Sequence, residues 1–277
     1  EDGDRVSAER VKQSWVQNIK PESAGMVSEP FEATLLAIAK SGIPGRDIGR
    51  YCDYSGLNSM ARACHPLGLI NAGDIRRAVQ DVMEVGLLYQ TDGSRGLKWA
   101  CVTAVGIAAA TKPDASVDSV LEAILTSCDK NLVVPELERQ LDATRSIGDF
   151  RSLRTHFDNV YSGKGTPYWA ASANEVVTKA VCVFRMTQGV TFDSMVASVN
   201  MGRDTDCLAA VAAGLSGALS GSGSIPGDLI AQTDAATEAN TYTNSSRTLR
   251  ETADGLHAAF VQRLKGMGRY IDRMTAS

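Results

Sequence analysis

The chain has 277 residues, 44% hydrophobic and 22% charged, with a net charge of −4. This balance suits a globular fold and gives no basic surface for nucleic acid or for an anionic membrane. No apolar run is long enough to span a bilayer, and the first residues do not read as a signal peptide.

In chain order, Ala8, Val11, Trp15 and Ile19 mark a first amphipathic helix that ends before Pro21, followed by a loop to Glu29. Phe31, Thr34, Leu35 and Ile38 begin a short helix closed by Ser41-Gly42-Ile43-Pro44-Gly45. Asp74 reads as the cap of a helix striped with Ile75, Ala78, Val79, Val82 and Met83. The loop from Gln90 to Gly96, in which Asp92 suits a turn, leads to a buried Ala/Val-rich helix from Trp99 to Ala110. Ser116 caps a helix carrying Val117, Val120, Leu121 and Ile124; further helices carry Leu137 and Leu141, and span Phe150 to Tyr161. A Gly163–Asn174 loop follows, in which Tyr168 suits stacking on a base or ribose and Trp169 suits packing between helices. Val176, Val177, Ala180, Val181 and Phe184 stripe the next helix, and Phe192, Met195 and Val196 the one after. Residues 231–248 are polar with weak periodicity, before a helix carrying Leu249, Leu256, Phe260 and Leu264 that wraps the outside.

The cysteines (52, 64, 101, 128, 182 and 207) show no CxxC spacing. They read as buried free thiols of a reducing compartment, which places the protein in the cytoplasm. The three histidines are scattered and read as surface or core residues.

Two stretches carry chemistry. The first is Asn200-Met201-Gly202-Arg203-Asp204-Thr205-Asp206-Cys207, which opens a helix of small residues with Leu208, Val211, Ala212, Leu215 and Leu219 at helical spacing. A helix so small all round reads as buried and closely approached by its neighbours. Asp204 and Asp206 fit two readings. One is plain capping, with Asp204 as N-cap and Asp206 in the first turn. The other is a hard-metal site, with the two carboxylates converging from the loop and the first turn and leaving room for water and substrate oxygens.

The second is the loop Ser55-Gly56-Leu57-Asn58-Ser59, leading to Met60-Ala61-Arg62 and Pro66-Leu67-Gly68. Its backbone amides either cradle a phosphate or form an ordinary capped turn. Arg62 offers a planar fork suited to phosphate.

The Asn-Met-Gly-Arg-Asp-Thr-Asp-Cys segment, its Gly/Ala helix and the following Ser224-Ile225-Pro226 resemble the C-terminal signature of the ADP-ribosylglycohydrolase family, and the resemblance runs from about residue 5 to about residue 265. It implies an all-α fold, a compact orthogonal multi-helix bundle filling residues 1–277 as one domain. It implies a hydrolase using two Mg²⁺ ions, with Mn²⁺ as substitute, that acts on ADP-ribosyl or related ribosyl linkages of a small molecule or a modified protein. Asp204 and Asp206 become catalytic and metal-binding residues, and Cys207 stands at the place of a third ligand. Ser55, Gly56, Asn58, Ser59, Arg62, Tyr168, Gly202 and Arg203 become substrate-binding residues.

The chain departs from the family pattern at two places. Cys207 replaces a threonine ligand, and thiol sulfur is a poor partner for Mg²⁺. The family's Thr-Asp-Asp-Thr motif, behind a Gly-Asp-Ala-rich first helix, is not found, and the chain opens at Glu1. The expectation is that an upstream segment has been removed or is supplied by a separate chain. The alternatives are a degenerate ADP-ribose-binding member and a hydrolase of another ribosyl or nucleoside substrate.

Overall fold

The core is organised around a helix whose residues are almost all too small or too apolar to face water. In the computed structural model this helix is Arg95–Ala110, and every residue in it except Arg95 and Lys98 is buried. The structure describes residues 6–20, 30–52, 54–161, 169–240 and 246–276; the expected loop at 21–29 and Tyr168 lie outside the described residues.

The described residues form an all-α structure. Five helices precede the central one: α1 (Ala8–Asn18), α2 (Pro30–Lys40), α3 (Ser59–Ala63), α4 (His65–Ile70) and α5 (Ile75–Val85). The central helix is α6, followed by α7 (Val117–Ser127), α8 (Val133–Ala143), α9 (Phe150–Val160) and α10 (Ala173–Met186). Then come α11 (Thr191–Val199), α12 (Thr205–Ser220), α13 (Gly227–Glu238) and α14 (Leu249–Thr275). The α6 helix packs against α3, α4, α5, α7, α10 and α12. Trp99, Ile107 and Leu97 are buried there beside Phe184 and Leu215, and side chains of this size each contribute about 1.5–3 kcal/mol when fully buried.

Caps sit where the sequence puts them. Asp74 accepts from the Arg77 amide, and Ser116 forms a reciprocal capping box with Ser119. Asp149 accepts from the Arg151 and Ser152 amides at the start of α9.

Four features of the fold correct or extend the sequence reading. First, α12 is buried along one stripe only, Cys207, Leu208, Val211, Ala212, Leu215 and Ser216, while Ala210 is exposed. Its small residues serve close approach on two sides. A Cβ at Gly214 would lie 2.3 Å from the His65 ring, and the Leu215 side chain fills the space beside Gly106 of α6. A hydroxyl ladder, Thr187 to Ser194 to Ser216 with 2.7 Å steps, ties α12 to α11.

Second, the chain after Pro44 forms a 3-10 helix, Gly45–Tyr51. It is set by tertiary backbone contact: Gly49 lies against the backbone of Gln90 and Leu87, closer than any Cβ would allow. Third, part of the polar stretch at 231–248 belongs to helix α13, which buries no residue. Its Ala, Leu, Gln and Glu content favours helix without a core face, hence the weak periodicity.

Fourth, α14 runs 27 residues, about 40 Å at 1.5 Å per residue. Arg263 is its one buried residue; Nη1 donates to the Ile70 carbonyl at 3.1 Å and lies 3.8 Å from Asp81. From Arg269 to Ala276 every residue is exposed. Ending the chain before Arg269 is therefore expected to move the melting temperature by less than about 2 °C, since surface changes remote from packed features cost little. A larger fall in a thermal melt would show that this end is packed.

Among the described residues, no helix is long and apolar enough to cross a membrane.

Candidate active site

Two distant parts of the chain meet at the N-terminal end of α12. The turn before α12 has two successive left-handed residues, Gly202 (φ 75°) and Arg203 (φ 66°). It delivers Asp204 to the N-cap position, yet the Asp204 side chain makes no capping hydrogen bond. Instead its Oδ2 accepts from Asn58 Nδ2 at 2.7 Å. Elsewhere in this fold Asp74 and Asp149, the other described N-cap aspartates, cap their helices in the ordinary way, whereas Asn58, Ser94 and Ser172, like Asp204, make no side-chain cap.

Asn58 is held by a short antiparallel bridge between Leu57 and Ser172. The Asn58 amide donates to Ala171 O at 3.0 Å, and the Ala173 amide to Gly56 O at 2.8 Å. Behind it, Gln90 Nε2 donates to Leu57 O at 3.0 Å and the Gly96 amide to Ser55 O at 2.8 Å. Two amides of the Ser55–Ser59 loop are thus spent internally: Asn58 N on Ala171, and Leu57 N on Tyr54 O at 3.4 Å. The loop presents side chains to the site rather than a row of amides.

The cavity in front has a volume of about 280 Å³. Asn58, Ser59, Arg62, Arg203, Asp204, Asp206 and Cys207 all line it; Ser55, Gly56 and Gly202 do not. Trp169 lines it too, 43% exposed and edge-on to Tyr54 with ring centroids 4.5 Å apart. It does not pack between helices as expected, because its neighbour across the bridge is a loop. A second cavity of about 200 Å³, lined by Trp15, Leu35 and Tyr89, lies beyond Ser59 and Arg62, which border both. Asp92 sits exposed in its turn and does not line this cavity.

Electrostatics set Asp204 and Asp206 apart. Burial, with the neighbouring Asp206 carboxylate, pushes Asp204 above its usual value. The hydrogen bond from Asp204 holds Asp206 below its usual value, helped by the nearby Arg62 charge. The pair therefore resists carrying two negative charges at once. Burial and the adjacent Asp204 push the Cys207 thiol up as well, so it stays neutral; its Sγ lies 3.9 Å from Asp206 Oδ2.

One oxygen from each carboxylate and the Cys207 sulfur lie within 4.8 Å of one another, close enough to share an ion. The carboxylates fit a hard divalent cation, whose charge would relieve their repulsion; the neutral thiol does not.

Sequence reasoning missed Glu175 and Lys179. Both are buried at 1% exposure, and Glu175 Oε1 accepts from Lys179 Nζ and from Arg203 Nε, each at 2.7 Å. A Glu and a Lys four residues apart read as a surface pair, and only the surrounding apolar stripe hinted otherwise.

A family model described as ADP-ribosylglycohydrolase matches residues 2–265. No curated protein matches the chain.

Proposed function

The chain belongs to the ADP-ribosylglycohydrolase family, and on that premise we propose that it is a metal-dependent hydrolase cleaving an ADP-ribosyl or related ribosyl glycosidic bond. The observation that carries this reading is the Asp204 carboxylate. It stands at a helix N-cap, declines the backbone amides, and turns instead into a cavity beside a second carboxylate. The other described N-cap aspartates, Asp74 and Asp149, do cap their helices.

In this reading Asp204 and Asp206 hold Mg²⁺, or Mn²⁺ in its place. A bound divalent cation would supply Lewis acidity toward ribosyl hydroxyls or a water molecule. The chain's own residues do the rest. Asn58 fixes the Asp204 carboxylate, so its geometry does not have to be found anew at each turnover. The acidic pair lies where positive charge develops on the sugar as the glycosidic bond lengthens. Arg62 and Arg203 receive anionic groups of the substrate. Trp169 and Tyr54 offer an aromatic edge to a base. Cys207 acts as a neutral donor to the carboxylates rather than as a ligand.

The test is release of the free ribosyl product from N-linked and O-linked ADP-ribosyl substrates and from a nucleoside, with and without Mg²⁺. Turnover is expected only with the ion. It is also expected to fall as pH drops, beginning above the ordinary aspartate value of about 3.9. The sign follows from Asp204: its raised pKa means that the proton competes with the ion at a higher pH than at an ordinary aspartate. Tight ADP-ribose binding with no turnover on any substrate would instead make the protein a binding member of the family.

A further inference from the structure

We infer that Glu175 is the positioning residue of the acidic pair, acting through Arg203 to keep Asp204 from collapsing into an ordinary helix cap. The inference rests on the reading that Asp204 and Asp206 take a divalent cation.

Among the described residues, Arg203 is one of three non-glycine residues with positive φ. Left-handed backbone is unfavourable for an arginine and persists only where the surroundings impose it. The imposing contact is on the page. Arg203 Nε donates to Glu175 Oε1 at 2.7 Å, and Glu175 belongs to the first turn of α10, not to the turn it restrains. Lys179 binds the same oxygen, while Glu175 Oε2 is buried and makes no hydrogen bond.

Such an arrangement is poor for stability alone. A buried carboxylate with one oxygen shared by two cations and the other unsatisfied is costly relative to apolar packing. It is well suited to holding one side chain at one place. With Glu175 fixed by Lys179, which itself lies 5.8 Å over the Tyr161 ring, Arg203 is anchored and its backbone follows.

The anchor matters because of what the turn would do without it. A relaxed Arg203 takes negative φ, which swings the next residue. Asp204 then meets the first amides of α12 and caps them, as Asp and Asn at this position generally do. The clamp selects between two local states, one with Asp204 on backbone amides and one with Asp204 on Asn58 beside Asp206.

The full chain is titrated with Mn²⁺ by calorimetry, and each metal-free variant is crystallised to read the 202–204 turn. Glu175→Leu/Lys179→Met removes the anchor, leaving no acceptor for Arg203 at this position and no stranded buried ammonium. Arg203→Ala removes it while keeping the backbone penalty; Arg203→Gly removes both, because glycine adopts left-handed φ freely. The first two are expected to weaken Mn²⁺ binding at least about tenfold and to break the Asn58–Asp204 hydrogen bond, whereas Arg203→Gly stays within about threefold of wild type. A merely structural role would not single out the glycine variant for rescue. Wild-type affinity in Glu175→Leu/Lys179→Met, or equal losses in the Ala and Gly variants, overturns the inference. If wild type itself binds no Mn²⁺, the metal reading fails separately. The crystal structures then decide the clamp alone, and an unchanged turn in the anchor-less variants refutes it.

Discussion

Asp204→Asn is expected to lower hydrolysis by more than about 100-fold while leaving the metal-free protein as stable as wild type or slightly more so. The two halves of this expectation have separate causes. Loss of activity follows from losing one of the two ionised donors that face the cavity. Retained stability follows from the sign of the Asp204 shift. Burial raises its pKa in the folded state, so the fold holds the proton more tightly than the unfolded chain does. Above the unfolded value, near 3.9, keeping the charged form costs stability, and that cost grows as pH rises toward the raised folded value. Asparagine removes the charge, and its Oδ1 still accepts from Asn58. No cap is lost, because none is made.

Asp206→Asn should behave differently. Its folded pKa is lowered, so its charge contributes stability above the unfolded value, lost as pH falls through the folded one. That variant should lose activity and some stability together. Metal provides a further readout. At 100 times Kd a ligand that binds only the native state adds about 2.7 kcal/mol, or roughly 5–10 °C in a protein of this size. Wild type should show that shift with Mg²⁺ and Asp204→Asn should not. An Asp204→Asn protein that still shifts with Mg²⁺, or still turns over, ends the metal reading.

The difference between these two aspartates was not visible in the sequence. Asp-Thr-Asp at the head of a helix satisfies a capping rule and a ligand rule equally, and only the side-chain direction separates them. That direction is decided by Asn58, 146 residues away, through a bridge between Leu57 and Ser172 that no local pattern announces. What was legible has a local cause. The stripes at 75–83 and 117–125 appear as α5 and α7 because each buries one face, and the stripe at 176–184 lies in α10, which is buried all round from Glu175 to Phe184. Asp74 and Ser116 cap because a side chain and an amide three residues on need nothing else. What the sequence left unread has tertiary causes. Gly45–Tyr51 is wound tight by the backbones it touches, Glu175 and Lys179 are buried by neighbours remote in sequence, and α13 has no stripe because it buries no residue.

Gly96→Ala is expected to lower the melting temperature by roughly 5–10 °C, against what local propensity says. Gly96 lies in the first turn of α6, where alanine is the better helix former. A Cβ there, however, would sit 2.4 Å from the Leu57 carbonyl oxygen and 2.3 Å from Gln90 Oε1. Neither neighbour can yield cheaply. Gln90 is held by Leu57 O on one side and by Ser94 Oγ at 2.8 Å on the other. Leu57 is pinned between the bridge to residue 172 and the Gln90 amide. Overpacking of this kind costs about 2–3 kcal/mol, which for a chain of this length gives the stated shift. The strain should also reach the site, since the Leu57 carbonyl is one peptide from Asn58 and Asn58 holds Asp204. The folded variant, assayed well below its melting temperature, is therefore expected to lose about tenfold in kcat/KM, as expected for a small misplacement of a positioned group. Gly148→Ala is the matched control, because nothing lies within 4 Å of its Cβ position and its φ is ordinary; it should melt and turn over like wild type. If Gly96→Ala melts higher than wild type, helix propensity outweighs the contact and the loop carrying Asn58 is softer than its hydrogen bonds imply.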